Sequence, residues 1–137
     1  GCRQNFVEKI GALTIEHCYN AAPDSMNAAI DTPVSVAKGR KICCFGDMLE
    51  LGDDTDNLHR EVGEYAKEKH VDCMWTYGEK ASFIAKGFGD GAENFATKQE
   101  LTDYVIKNLK VGDTIVLKRS HSRKFEDILE RIYKYWE

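Results

Sequence analysis

Apolar positions along the chain come in short blocks whose spacing switches repeatedly between that of strands and that of helices. Residues 5–10 and 12–18 are two apolar-rich runs flanking Gly11, which predicts a hairpin or two separate edge strands. Pro23-Asp24-Ser25 then offers a helix start with side-chain oxygens for the free backbone N–H groups, and Met26, Ala29 and Ile30 recur at helical spacing. Pro33 is expected to stop or restart that helix. Residues 41–45, apolar from Ile42 to Phe45, read as a buried strand. A polar stretch over 46–57 follows it, then a helix with Leu58, Val62, Tyr65 and Ala66 on one side.

The same unit repeats in the second half. Residues 71–77 predict a strand ending at Gly78, followed by a short helix around 81–85, a loop over 87–91 and a short strand over 93–96. Thr97 and Glu100 have capping-box spacing, and Leu101, Tyr104, Val105 and Leu109 mark the buried side of the helix they open. Gly112 closes that segment, 114–117 predict the last strand, and Phe125, Ile128, Leu129, Ile132, Tyr133 and Trp136 form an apolar stripe on a closing helix. Such alternation implies an α/β fold: a three-layer, Rossmann-like, mostly parallel sheet with helices on both faces and right-handed crossovers.

A length of 137 residues suits a single domain spanning 1–137, and 42% hydrophobic with 31% charged residues suits a globular chain that needs no covalent staples. A net charge of −4 argues against a nucleic-acid partner, which requires a basic face acting over many phosphates. The five cysteines (Cys2, Cys18, Cys43, Cys44, Cys73) contain no CxxC pair and read as reduced, packed thiols of a cytoplasmic protein. No apolar run approaches the roughly 20 residues of a membrane span, and the N-terminus lacks the basic and apolar regions of a signal peptide.

In open sheets of this kind, ligands sit beyond the carboxyl ends of the strands. Three loops there carry polar residues: 19–24, 46–56 and 118–124. The second holds Asp47, Glu50, Asp53, Asp54 and Asp56, whereas the third holds Lys118, Arg119, Arg123 and Lys124 around Ser120 and His121. An acidic wall facing a basic one suits a zwitterion, whose ammonium needs an anion and whose carboxylate needs cationic or N–H donors. The same charges also suit plain solvated loops. Asp24 or Ser25 caps a helix whose N-terminus is able to receive a phosphate or carboxylate, and Asn20 beside it either binds ligand or stabilises the turn.

Other chemistries find little support. His17 and Cys18 are adjacent in a strand and so point to opposite faces, and His59 and His70 lie on one helix without a zinc-ligand pattern, so no metal site is expected. Ser120 lacks the GxSxG context of a hydrolase. There is neither a GxxxxGK[ST] phosphate loop nor a GxGxxG turn.

Four segments spread along nearly the whole chain resemble motifs of the C-terminal domain of the MurF branch of the Mur ligase family. Gly1-Cys2-Arg3-Gln4 resembles that domain's entry. Cys18-Tyr19-Asn20-Ala21-Ala22-Pro23-Asp24-Ser25-Met26 resembles its YNANPDSM signature, with Ala22 in place of asparagine. Gly46-Asp47-Met48-Leu49-Glu50-Leu51-Gly52, followed by His59, matches the GDMLELG…H segment that separates MurF from other Mur ligases. Lys118-Arg119-Ser120-His121 through Phe125-Glu126 resembles a KGSR…ME motif, from which Arg119 and His121 depart. Glu16-His17 stands where the family usually has an acidic pair, whose aspartate is associated with the ATP ribose.

This resemblance implies one part of a three-domain enzyme. The N-terminal domain would hold UDP-N-acetylmuramoyl-tripeptide, the central domain would carry the phosphate loop and Mg2+ sites, and this domain would close over ATP and bring D-alanyl-D-alanine. By the same resemblance, Ser120, Lys118, Asp47 and His121 are the candidates for holding the dipeptide, and Tyr19, Asn20 and Ser25 are the candidates for facing the nucleotide. The isolated domain would be inactive and would bind no cofactor by itself. Two other classes compete: a non-catalytic, diverged ligand-binding paralogue of the same fold, and a phospho-accepting receiver domain built on Asp47 and Lys118. The latter lacks the acidic pair expected beside its acceptor.

Overall fold

Side chains on both faces of the central strands are apolar, so each face needs its own helical cover. The computed structural model describes residues 5–9, 12–17, 23–48 and 52–118; for 5–9, 12–17, 23, 25 and 118 it describes the backbone alone. In chain order the elements are β1 (Asn5–Lys9), β2 (Ala12–His17), α1 (Pro23–Val36), β3 (Lys41–Phe45), a 3-10 turn (Gly52–Asp54), α2 (Thr55–Glu68), β4 (Cys73–Tyr77), α3 (Ala81–Phe88), β5 (Ala92–Phe95), α4 (Lys98–Asn108) and β6 (Thr114–Lys118).

Cys43, Phe45, Met74 and Val116 point to one face, where they meet Met26, Ala29 and Ile30 of α1, Val62 and Ala66 of α2, and Ile84 and Phe88 of α3. Ile42, Cys44, Trp75, Ile115 and Leu117, one residue out of phase, point to the other and meet Leu101 and Val105 of α4 with Leu109 at its end. This period-2 division produces the three expected layers. Each large buried side chain, such as Phe45 or Leu117, contributes about 1.5–3 kcal/mol by leaving water.

The described strands form one sheet in the order β1-β2-β6-β3-β4-β5. Only the β1–β2 pair is antiparallel, with Asn5 opposite Glu16 and Lys9 opposite Ala12; the remaining pairs are parallel. The two N-terminal runs therefore pair as a hairpin at the sheet edge. β6 inserts between β2 and β3, so three parallel strands from distant parts of the sequence lie side by side.

At the amino end of the sheet, Arg40 closes the layers. Its Nε donates to Asp113 Oδ1 at 3.1 Å, and its Nη2 donates to Asp113 Oδ2 at 2.7 Å and to the Asn108 carbonyl at 2.9 Å. The guanidinium carbon stands 5.6 Å from the centre of the Trp75 ring. The bidentate pair raises the Arg40 pKa, and burial only partly opposes it.

Three local expectations are corrected. α1 does not stop or restart at Pro33 but runs through it to Val36. Pro33 sits in the last turn, where its missing N–H leaves only the Ala29 carbonyl without its helical partner, and its own carbonyl accepts from the Ala37 N–H at 2.9 Å. α3 extends to Phe88 instead of ending near 85, because Gly87 serves packing and does not end the helix. A Cβ on Gly87 would stand 2.2 Å from the Arg60 carbonyl oxygen, and one on Gly63 would stand 2.0 Å from that of Ile84. The two helices touch backbone to backbone. In α2 the fully buried residues are His59, Val62, Gly63 and Ala66, with Leu58 only half-buried. The apolar stripe from Phe125 to Trp136 lies outside the described residues.

Candidate functional site

The carboxyl ends of β2, β6 and β3 adjoin. His17, the last residue of β2, pairs with Lys118, the last of β6, and Cys44 of β3 pairs with Leu117. Neighbouring strands run about 4.8 Å apart, so the three polar loops leave the sheet within about 10 Å of one another. Loops separated by up to a hundred residues thus start from one edge. Tyr19, Asn20, Ser120 and His121 lie outside the described residues, as do Leu49, Glu50 and Leu51. Ser25 lies in the first turn of α1, and Lys118 ends β6.

Three of the described carboxylates of the second loop meet separate partners, and Glu50 lies outside the described residues. Asp47 Oδ1 accepts the backbone N–H of Ala81 at 2.7 Å and so caps the first turn of α3. That approach needs Gly78: the residue has φ +114°, and a Cβ there would lie 2.3 Å from Asp47 Oδ1. Asp54 Oδ1 accepts from Asn57 Nδ2 at 2.8 Å, and Asp56 Oδ1 pairs with Lys80 Nζ at 2.9 Å. With the two side chains 48% and 40% exposed, that last pair adds little. Asp53 is exposed. Two of the described acids thus reach the start of α3, Asp47 through a backbone N–H and Asp56 through an exposed ion pair with Lys80.

The periodicity of α2 missed a buried polar group. His59 is fully buried; its Nδ1 lies 2.6 Å from the Thr55 carbonyl and its Nε2 2.9 Å from the backbone nitrogen of Met48. A carbonyl only accepts and an amide N–H only donates, so the ring is the neutral Nδ1–H tautomer. The Met48 side chain is buried in the core beneath the loop. The sequence signal was the histidine that follows GDMLELG, a polar residue on an apolar helix face.

Tyr77 covers the start of the same loop: a Cβ on Gly46 would stand 3.1 Å from its ring. Its phenol is pushed up to about 12, mainly by burial and further by the neighbouring Cys44 and Asp47, so the hydroxyl stays protonated at neutral pH. Burial likewise pushes the Cys43 and Cys44 thiols up. On the other side, the Oδ1 of Asn27 in α1 is buried and has no hydrogen-bond partner among the described residues. Among those residues no group of three His, Cys, Asp or Glu side chains converges as a metal-ligand set.

Comparison with known proteins places these features in a wider group. Residues 2–121 match the family model described as Mur ligase, glutamate ligase domain. The chain is 36% identical over 126 residues to the UDP-N-acetylmuramoyl-tripeptide–D-alanyl-D-alanine ligase of Bacillus subtilis (strain 168), covering 88% of this chain and 28% of that protein. It is 34% identical over 126 residues to the ligase of the same name from Haemophilus influenzae, covering 85% and 26%. Among solved structures, a MurF from Acinetobacter baumannii superposes with TM-score 0.83 at 27% identity over 95% of this chain and 30% of that one. A MurF ligase from Thermotoga maritima in complex with ADP superposes with TM-score 0.80 at 24% identity, over 96% and 30%, and shares the fold. The chain thus spans between a quarter and a third of the length of these relatives.

Proposed function

The chain belongs to the Mur ligase family through its C-terminal, glutamate ligase domain, and from that premise we propose that it is the dipeptide-bringing domain of an ATP-dependent ligase that joins D-alanyl-D-alanine to UDP-N-acetylmuramoyl-tripeptide. In this reading 1–137 is one domain, and the UDP-substrate and phosphate-loop domains lie elsewhere in the polypeptide. The observation that supports it is the adjacency of β2, β6 and β3, whose carboxyl ends, from which the three motif-bearing segments continue, adjoin on one edge. The relatives' names supply the substrates.

A free carboxylate is a poor electrophile. Transfer of the γ-phosphoryl group of ATP to the tripeptide carboxylate yields an acyl phosphate and ADP. The dipeptide amine then attacks the acyl carbon, the C–O bond to phosphate breaks, and a proton leaves the nitrogen. Negative charge on oxygen develops in both steps, and cationic or N–H donors placed in advance stabilise it. Ser120, Lys118 and His121 would hold the dipeptide carboxylate on the basic loop. Tyr19, Asn20 and the α1 start at Ser25 would face the nucleotide phosphates, where the free N–H groups favour an anion. Asp47 retains one oxygen beyond its bond to Ala81, and that oxygen is the candidate for the ammonium or for orienting the loop.

Mg2+, when bound, would neutralise the phosphates. By the family resemblance its ligands would lie in the central domain, and this chain's role would be alignment. No helix among the described residues is long and apolar enough to cross a membrane, and the nucleotide-linked substrates suit a cytoplasmic enzyme. A non-catalytic paralogue gains nothing from relatives that are named as ligases.

The test is phosphate release by the protein encoded in the complete reading frame, with ATP, UDP-N-acetylmuramoyl-tripeptide and D-alanyl-D-alanine. Release that requires both substrates is the expected result. A folded protein that releases none, or a reading frame with no phosphate-loop domain, overturns the proposal.

A further inference from the structure

Three cations converge on one aromatic ring at the exposed side of the α2–α3 pair. Lys86 Nζ stands 4.6 Å from the centre of the Phe83 ring, the Arg60 guanidinium carbon 5.8 Å and Lys80 Nζ 6.0 Å. The two lysines flank Phe83 on either side along α3, while Arg60 comes from α2. The helix crossing holds the stem of Arg60 in place, since a Cβ on Gly87 would stand 3.1 Å from its Cγ. Compensation of the three charges is uneven. Asp56 pairs with Lys80 at 2.9 Å, whereas Arg60 and Lys86 make no ion pair among the described residues. Asp56 and Glu64 lie one helical turn to either side of Arg60, a spacing that allows a pair, yet the guanidinium turns to the ring. A ring offers two faces, so it serves at most two of the three cations, and their outward N–H donors stay open to a further acceptor. Phe83 is itself only partly buried, whereas Ala81, Ile84 and Phe88 of the same helix are buried in the core.

We propose that this face docks an acidic protein segment, with carboxylates on Arg60 and Lys86 and an apolar side chain against Phe83. It goes beyond the ligase reading, because none of the three residues is a candidate for holding substrate. The patch matches the reach of a few side chains of a peptide. A nucleic acid or an anionic bilayer presents charge over a much wider area, and this chain, with its net charge of −4, opposes such a surface as a whole. A short acidic segment meets only the local cations.

The experiment is isothermal titration calorimetry of the complete protein with a synthetic peptide in which leucines alternate with pairs of glutamates, at low and at physiological salt. The glutamate peptide should bind and weaken as salt rises, its glutamine counterpart should not bind, and serine in place of leucine should weaken it several-fold. Arg60→Gln combined with Lys86→Gln should weaken the glutamate peptide by roughly tenfold or more, with melting temperature and substrate-dependent phosphate release unchanged. Lys107→Gln combined with Lys110→Gln removes the same charge from exposed positions on and just after α4, in the opposite layer, and should leave affinity within about twofold. No binding by wild type overturns the proposal, as does equal binding by the Arg60 and Lys86 double variant. An equal loss in the Lys107 and Lys110 pair also overturns it, because the peptide would then answer net charge alone. Phosphatidylglycerol vesicles that bind with the same dependence on Arg60 and Lys86 overturn it in favour of a membrane face. Each of these outcomes leaves the ligase reading standing, since phosphate release is measured separately.

Discussion

Asp47 and Ala81, 34 residues apart, are joined by a 2.7 Å hydrogen bond from the Ala81 backbone N–H to Asp47 Oδ1, which ties the loop after β3 to the first turn of α3. A lost helix cap typically costs about 1 kcal/mol, so Asp47→Ala should lower unfolding free energy by about that much, whereas Asp47→Asn retains an acceptor and should cost only a few tenths. Gly78→Ala should be worse, by about 1–3 kcal/mol, since it forces a side chain into φ +114° and against the same carboxylate. Urea unfolding of the three variants ranks them.

The backbone contact between α2 and α3 predicts that Gly63→Ala and Gly87→Ala are both strongly destabilising. Each Cβ would lie near 2 Å from a carbonyl oxygen of the facing helix, 2.0 Å at Gly63 and 2.2 Å at Gly87, and backbone cannot rotate away as a side chain can. Overpacking of this kind costs about 1–3 kcal/mol or more. Gly89→Ala meets no atom within 4 Å, so only its positive φ opposes it and its cost should be smaller. Melting temperatures of the three proteins check the order.

Cys43 and Cys44 should resist thiol reagents in the native protein and react only on unfolding, because burial both blocks access and disfavours the thiolate. Half-buried Cys73, also pushed up by burial but opposed by Arg40, should react at an intermediate rate. Peptide mapping after a timed pulse of iodoacetamide distinguishes these sites.

Tyr77 predicts a loss of stability in alkali. Its pKa is raised in the folded state, so the stabilisation it provides is complete below about pH 10 and declines as pH rises through about 12. Tyr77→Phe should flatten that part of the stability profile. A phenolate absorbance titration of wild type against the variant should assign the missing late transition to this residue.

The architecture was legible in the chain because β3, β4 and β6 are apolar on both faces and the helices between them are apolar on one, a contrast that local periodicity detects. Pro33 and Gly87 misled because proline and glycine usually mark ends, yet here one lies within a last turn and the other permits a close helix contact. The acidic character of the 46–56 loop was visible, but its division among Ala81, Asn57 and Lys80 was not, since tertiary contact decides which partner each carboxylate meets. His59 looked like a weak metal candidate by residue type. Its contact with Thr55 is local to α2, but its bond to Met48 depends on how α2 docks beneath the loop, which no spacing rule encodes.

The central claim is that the edge formed by β6 and β3 holds the incoming dipeptide. It is tested most directly by the KM for D-alanyl-D-alanine in the complete protein carrying Ser120→Ala. Loss of a hydrogen bond to the dipeptide carboxylate should raise that KM by roughly tenfold or more, with the KM for UDP-N-acetylmuramoyl-tripeptide unchanged. An active enzyme whose constants for the dipeptide are untouched by the substitution would contradict the account.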